Sequence, residues 1–206
     1  MIKEYFNEKA EVWDQKFAEK DDNKLRQIAG RMGILPGSTV LDIGTGTGVF
    51  LPFIRERIVD GAVYALDVAE KMLSKSKNKA HGNHVFYVQA DILNAPFVSD
   101  VFDIIVCYSA FPHFRDKDEA LHEIYRMLRE GGNLYIAHSS GISAINEIHR
   151  NIQGMKDHIL PDAREMMEML TRCSFINIEV EDKPDSFFAK AVKKRPIQNT
   201  IDERHC

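Results

Sequence analysis

Cysteine is scarce in this chain and badly spaced for pairing. The three residues, Cys107, Cys173 and Cys206, are odd in number and far apart, which argues against a disulfide framework and suits a reducing compartment. No C-x-x-C pair occurs, so a cysteine zinc knuckle is excluded. No apolar run approaches the length of a membrane span. Met1 to Ala10 is charged and lacks the apolar core of a signal peptide. Positive charge is also short: 27 Lys and Arg against 31 Asp and Glu leave a net charge of −4. A dedicated nucleic-acid binder would carry a basic face, so no nucleic-acid partner is expected. The basic runs Lys75-Lys77-Lys79 and Lys193-Lys194-Arg195 read as a solvated helix face and a tail. There is no internal repeat and no low-complexity segment. What remains is globular composition, 44% hydrophobic and 28% charged, in 206 residues. That length suits one well-cored domain, expected to be soluble and cytoplasmic.

Short apolar strands alternate with amphipathic helices. Strands are predicted over Thr39–Ile43, Ala62–Leu66, Val85–Gln89, Phe102–Cys107 and Asn133–His138. Helices are predicted near Thr47–Arg57, Glu70–Lys79 and Lys117–Arg129, with another over Asn23–Met32 before the first strand. Leu121, Ile124, Tyr125 and Leu128 make one apolar stripe, with Asp116 and Glu119 as a capping box. This alternation implies a mostly parallel sheet covered on both faces. Further on, Ile145, Ile148 and Ile152 mark one helix, and Asp162, Glu165, Met166, Leu170 and Cys173 a second. Phe175–Glu181 and Ser186–Val192, joined by a short link, predict an antiparallel hairpin. The expected organisation is one domain over 1–192, with helical covers at 1–33 and 139–173. The tail 193–206, lacking periodicity, is expected to be mobile.

The stretch Val40-Leu41-Asp42-Ile43-Gly44-Thr45-Gly46-Thr47-Gly48 carries the chemistry. Alternate glycines let the backbone turn tightly and approach a ligand closely. The pattern departs from G-x-G-x-x-G, because Val49 stands where a third glycine belongs. Asp42, two residues before the first glycine, would oppose a pyrophosphate and suits a ligand bearing positive charge. The loop therefore fits the ammonium and sulfonium of S-adenosylmethionine. Asp67 follows the last glycine by roughly twenty residues, the spacing of a ribose-binding carboxylate. Asp67 and Asp91 could each be a helix N-cap alone; together with Asp42, at successive strand ends, they favour a ligand. Asp103 opens its strand, away from the carboxyl-end crevice, and reads as structural.

These motifs in this order resemble the class I S-adenosylmethionine-dependent methyltransferases, particularly the small-molecule branch, over roughly Gly33 to Val192. The resemblance implies a three-layer α/β Rossmann-like fold, its seven-stranded sheet mostly parallel with an antiparallel strand from the C-terminal hairpin. It implies S-adenosylmethionine as cofactor and S-adenosylhomocysteine as product. It assigns Asp42, Gly44, Thr45, Gly46 and Gly48 to the methionine half. Asp67 falls to the ribose, and Val68, Asp91 and Ile92 to the adenine. Tyr108, with Ser109, would sit beside the transferred methyl. Trp13 and Phe17, four residues apart, pack either as a lid or on the core.

The sequence lacks the Asn/Asp-Pro-Pro-Tyr/Phe box of amide and adenine-amino methyltransferases, having Ser109-Ala110-Phe111-Pro112 there. Oxygen, carbon, sulfur or a softer acceptor stays open. His113, His138 and His149 are the candidate catalytic residues. His138, His149 and His158 are also candidate ligands should a metal ion take part. His81, His84, His122 and His205 read as surface residues. The function expected is methyl transfer to a small-molecule acceptor. A macromolecular acceptor (protein or tRNA) and a non-catalytic sensor or accessory protein are the alternatives.

Overall fold

The computed structural model describes residues 2–195. Three helices come first, α1 (Ile2–Lys9), α2 (Trp13–Lys16) and α3 (Asp22–Gly30). Strands and helices then alternate as β1 (Thr39–Ile43), α4 (Leu51–Arg55), β2 (Ala62–Asp67), α5 (Glu70–Asn78), β3 (Val85–Gln89), β4 (Phe102–Tyr108), α6 (Lys117–Met127) and β5 (Leu128–His138). The chain continues through α7 (Ile142–Arg150), α8 (Ala163–Arg172), β6 (Phe175–Lys183) and β7 (Ser186–Lys193). Single 3-10 turns lie at Ile92–Asn94 and Phe111–His113.

The strands form one seven-stranded sheet in the order β3-β2-β1-β4-β5-β7-β6. The first five are parallel, β7 runs antiparallel to β5, and β6 antiparallel to β7. Their central strands are near-continuous apolar runs because helices cover both faces. Strand alternation divides the core accordingly. Leu41, Ile43, Ile105 and Cys107 face α6 and α8, with Leu121, Ile124, Met166 and Leu170. Val40, Ile104 and Val106 face α3 and α4, with Leu25, Ile28, Phe53 and Ile54. The Asp116 and Asp162 caps form as expected, accepting from Glu119 N at 3.0 Å and Glu165 N at 2.8 Å.

The predicted helix Thr47–Arg57 is corrected to the short α4. Positive φ at Gly44, Gly46 and Gly48 spends the preceding residues on a loop that no α-helix can enter. Lys193 is likewise no solvated tail residue. Its ammonium reaches Asp100 Oδ1 and the Leu128 carbonyl, both at 2.8 Å, closing the end of β7 against the α6–β5 turn. Lys194 and Arg195, the last described residues, are exposed; the expectation for 196–206, His205 included, lies outside the described residues.

Asp103 is structural in the way its position implied. Its Oδ2 accepts from Thr39 N at 2.8 Å, starting β1, and its Oδ1 pairs with Arg129 at 2.7 Å. Asp103→Ala is expected to destabilise the fold by about 1 kcal/mol. That lowers the Tm by about 2–4 °C and leaves ligand affinity unchanged. Thermal melts beside calorimetric titration check this; an unchanged Tm would refute it.

Candidate active site

β1 lies between β2 and β4, where the winding of the sheet reverses and a crevice opens at the strand ends. The loop after β1 crosses this crevice. Gly44 N and Thr45 N both donate to Leu66 O, at 2.8 and 3.0 Å, tying the end of β1 to that of β2. A Cβ on Gly44, already at φ +70°, would stand 2.4 Å from Ala110 Cβ. At Gly48 it would stand 2.2 Å from Ser76 Oγ and 2.6 Å from His81 Nε2. No side chain fits at either position.

Two carboxylates close this end of the site. Asp42 is 1% exposed, and its Oδ2 has no hydrogen-bond partner. Burial pushes its pKa up to about 7, with Asp67 repelling it further and Thr45 relieving part of the shift. Asp67, ending β2, accepts from Gly46 N through Oδ2 and from Ala69 N through Oδ1, each at 2.8 Å. Burial still pushes it up to about 6. Among the described residues no ion pair reaches either group. Two desolvated acids without a cation form a site for positive charge.

Both line a cavity of about 1170 Å³, part of it open to solvent. Thr45, Gly46, Val68, Asp91 and Ile92 line it too, as do Tyr108 and His113 toward the far end. Asp91 also caps the turn Ile92–Asn94 through Leu93 N at 3.0 Å. The Tyr108 hydroxyl and His113 Nδ1 are buried without partners, places where a ligand can supply them. Gly48 lies behind the loop rather than in the lining.

The roof comes from the N-terminal segment. Phe6, Trp13 and Phe17 all line the cavity. Phe6 meets Trp13 edge-on at 5.4 Å, and Trp13 lies 5.0 Å from Phe17. Asp14 pins the roof, accepting from Thr47 Oγ1 at 2.5 Å and pairing with Lys79 at 2.7 Å. Trp13 and Phe17 thus form a lid. Phe6 and Asp14 belong to no sequence motif: Phe6 lies on α1 and Trp13 on α2, so no single helical stripe joins the roof residues. His81 is no surface residue: its Nε2 is buried without a partner, where a Gly48 Cβ would meet it. Burial and nearby Lys79 lower its pKa.

The histidines converge differently from expectation. His113 sits with its ring 4.9 Å from that of His149, 5.3 Å from His158 and 5.0 Å from Phe6. His138 is buried at the end of β5 beside Phe187, outside these ring contacts. Asn146 sets the arrangement by exchanging two hydrogen bonds with the Leu160 backbone, at 2.8 and 2.9 Å, folding the loop after α7 back on itself. The candidate metal set His138, His149 and His158 is corrected. Among the described residues no three or more His, Cys, Asp or Glu side chains could hold one ion. His149 Nδ1 is taken by the His158 carbonyl at 2.5 Å, and His158 bonds the Pro112 backbone.

Removing charge at Asp42 separates stability from binding. Both buried acids retain in the fold protons that the unfolded chain releases near pH 4, so ligand-free stability falls as pH rises from about 4 to 7. The depressed histidines act oppositely, since the unfolded chain takes up protons below about pH 6.5 that the fold refuses. The difference between wild type and Asp42→Asn isolates the carboxyl. Between pH 5 and 8 the wild type is expected to lose about 2 kcal/mol more stability than the variant. Denaturant titrations at the two pH values measure it, and parallel losses would refute it.

Known proteins supply the comparison. A family model described as a methyltransferase domain matches residues 41–136. Vibrio vulnificus ubiquinone/menaquinone biosynthesis C-methyltransferase UbiE is 30% identical over 176 residues, covering 82% of this chain and 62% of that protein. The chain thus spans less than two thirds of the length of such curated relatives. Among solved structures, Haemonchus contortus phosphoethanolamine N-methyltransferase 2, in complex with S-adenosyl-L-methionine, superposes with a TM-score of 0.77 at 19% identity. That match covers 93% of this chain and 58% of the other. A chain from a Haloferax volcanii complex containing the Trm112 methyltransferase activator gives 0.75 at 18%, covering 92% and 98%. At such identities the superpositions speak for the fold alone. The superpositions show the fold of these methyltransferases, and within it residues 41–136 match the methyltransferase-domain model.

Proposed function

We propose that this protein transfers a methyl group from S-adenosylmethionine to a small-molecule acceptor held in the roofed cavity. The observation that carries the reading is the pair of buried, cation-free carboxylates at the ends of β1 and β2. In this reading Asp42 takes the cofactor's cationic methionine end, supported by the partnerless Oδ2. Gly44, Thr45, Gly46 and Gly48 shape the loop around it. Asp67, at the end of β2 and lining the cavity, takes the ribose hydroxyls. Val68, Asp91 and Ile92 hold the adenine. When bound, S-adenosylmethionine supplies an electrophilic methyl on a sulfonium that loses its charge on transfer. Tyr108 faces that centre, and Phe6, Trp13 and Phe17 exclude water from it.

The small-molecule reading rests on the roof, whose aromatic rings leave the acceptor little more than the cavity beneath them. The relatives named for quinone biosynthesis support the same class. Residues 1–192 would act as one cytoplasmic unit, with 1–33 and 139–173 as covers over cofactor and acceptor. Among the described residues no helix is long and apolar enough to cross a membrane.

Three outcomes test the reading. Labelled methyl from S-adenosylmethionine should enter a low-mass product of a cell extract; label confined to protein or RNA would overturn the small-molecule reading. Binding of the cofactor with no label anywhere would instead mean a sensor. Asp42→Asn should weaken S-adenosylmethionine by about tenfold or more, and S-adenosylhomocysteine less. Affinity for S-adenosylmethionine should rise from pH 6 to pH 8, because Asp42 and Asp67 ionise over that range and only their charged forms attract a cation. Calorimetric titration across that range measures it, and a flat or falling affinity would count against the charge pairing.

A further inference from the structure

The imidazole cluster at the acceptor end has an internal order that the cofactor site does not require. His113 alone of the cluster lines the cavity. His149 and His158, on α7 and the loop after it, stand against it on the outer side and are half-buried. Their tautomers follow from their partners. A carbonyl only accepts, so His149 Nδ1, at 2.5 Å from the His158 carbonyl, carries the hydrogen. Proline offers only a carbonyl, so the His158 ring nitrogen bonding the Pro112 backbone is also a donor. In the neutral state each outer ring therefore keeps one bare lone pair. His113 Nδ1 is buried with no partner at all. No carboxylate is in hydrogen-bond contact with these three rings among the described residues.

We propose that His113 is the proton acceptor for the methyl-accepting nucleophile, and that His149 and His158 carry that proton out to solvent. This rests on the methyltransferase reading and narrows its substrate class to a nucleophile that arrives protonated: a hydroxyl, an enol or a thiol. In the step, the acceptor's X–H bond breaks and an X–CH3 bond forms. The carbon–sulfur bond of the sulfonium breaks, its electron pair stays on sulfur, and the proton passes to His113. A thioether or tertiary amine would need no such group.

The surroundings drive the proton outward. Burial, with His149, His158, His138 and Lys117 nearby, holds the His113 imidazolium well below its usual stability. His149 is less desolvated, with Lys117 the charge acting on it. His158 feels Lys117 and His149 against its charged form and Asp157 in its favour. Lys117 in turn is depressed by burial and supported by Glu165 on α8. His138, pushed down to about 3, stays neutral behind the cluster. A proton on His113 is thus held least well and moves toward the wetter rings.

Two measurements decide the proposal. The first is imidazole nitrogen NMR on the S-adenosylhomocysteine complex, which needs no acceptor. It should find His113 neutral with one bare nitrogen at pH 7, and His149 protonated at Nδ1. A charged His113 there would overturn the relay. The second is methyl transfer into the labelled low-mass product by His113→Gln. The rate should fall about 100-fold at pH 7, with the loss shrinking as pH rises and the acceptor ionises itself. S-adenosylhomocysteine affinity should stay within about twofold. His149→Gln combined with His158→Gln should be slowed about tenfold and recover with added imidazole buffer. A His113→Gln rate that is unchanged, or lowered equally at every pH, refutes the role. If the wild type labels nothing, the methyltransferase reading fails, while the NMR result still judges the cluster.

Discussion

Burying Asp42 and Asp67 together, without a cation, is the constraint on which the rest of this structure turns. Each acid ends a central strand, and each is desolvated enough to hold a proton near neutral pH. Such a pair is costly in a ligand-free fold. It persists because the strands carrying it are largely buried in the centre of the sheet, and because backbone N–H groups of Gly46 and Ala69 donate to Asp67. The glycine loop is part of the same construction. Its positive φ angles bring two N–H groups onto the Leu66 carbonyl, locking the two strand ends at the separation the acids need.

The roof is held by the outer side of that loop. Thr47, one residue before Gly48, donates to Asp14, and Lys79 at the end of α5 pairs with the other Asp14 oxygen. Lys75 binds Glu11, and Lys71 N bonds the Asn7 side chain. The short basic run on α5 therefore anchors the N-terminal helices. Exposed pairs of this kind are individually weak, so the roof is the part of the site best suited to open. Phe6 joins it to the acceptor end through its edge contact with His113.

The strands were legible because buried parallel strands write themselves as apolar runs, and β1 and β3 fall where the alternation put them. The carboxyl-end acids were legible for the same reason: position on a strand end decides what they face. The α4 boundary was not, since Val49-Phe50-Leu51 continues a helical pattern that the loop dihedrals interrupt. Lys193 was misjudged because a lysine's environment depends on Asp100 and the Leu128 carbonyl, far away in sequence. The histidines show the same limit. That several lay near the acceptor end followed from strand order; that His113, and not His138, sits among His149 and His158 depends on the Asn146 clamp. No periodicity reports such a clamp.

The two ends of the cavity differ in a way that charge conservation makes meaningful. On the proposed reaction the sulfonium's charge disappears at the acidic end while a proton appears at the acceptor end. The cavity's net charge is therefore unchanged by the chemical step and falls only when the proton leaves. Were a carboxylate placed beside His113, it would hold the imidazolium and delay that loss. The groups acting on His113 are instead imidazoles and Lys117, all of which disfavour a retained positive charge there. On that reaction the acids lose the sulfonium but keep the product's ammonium, so the acidic end would hold the product less firmly than S-adenosylmethionine, with no movement of the sheet that carries both acids.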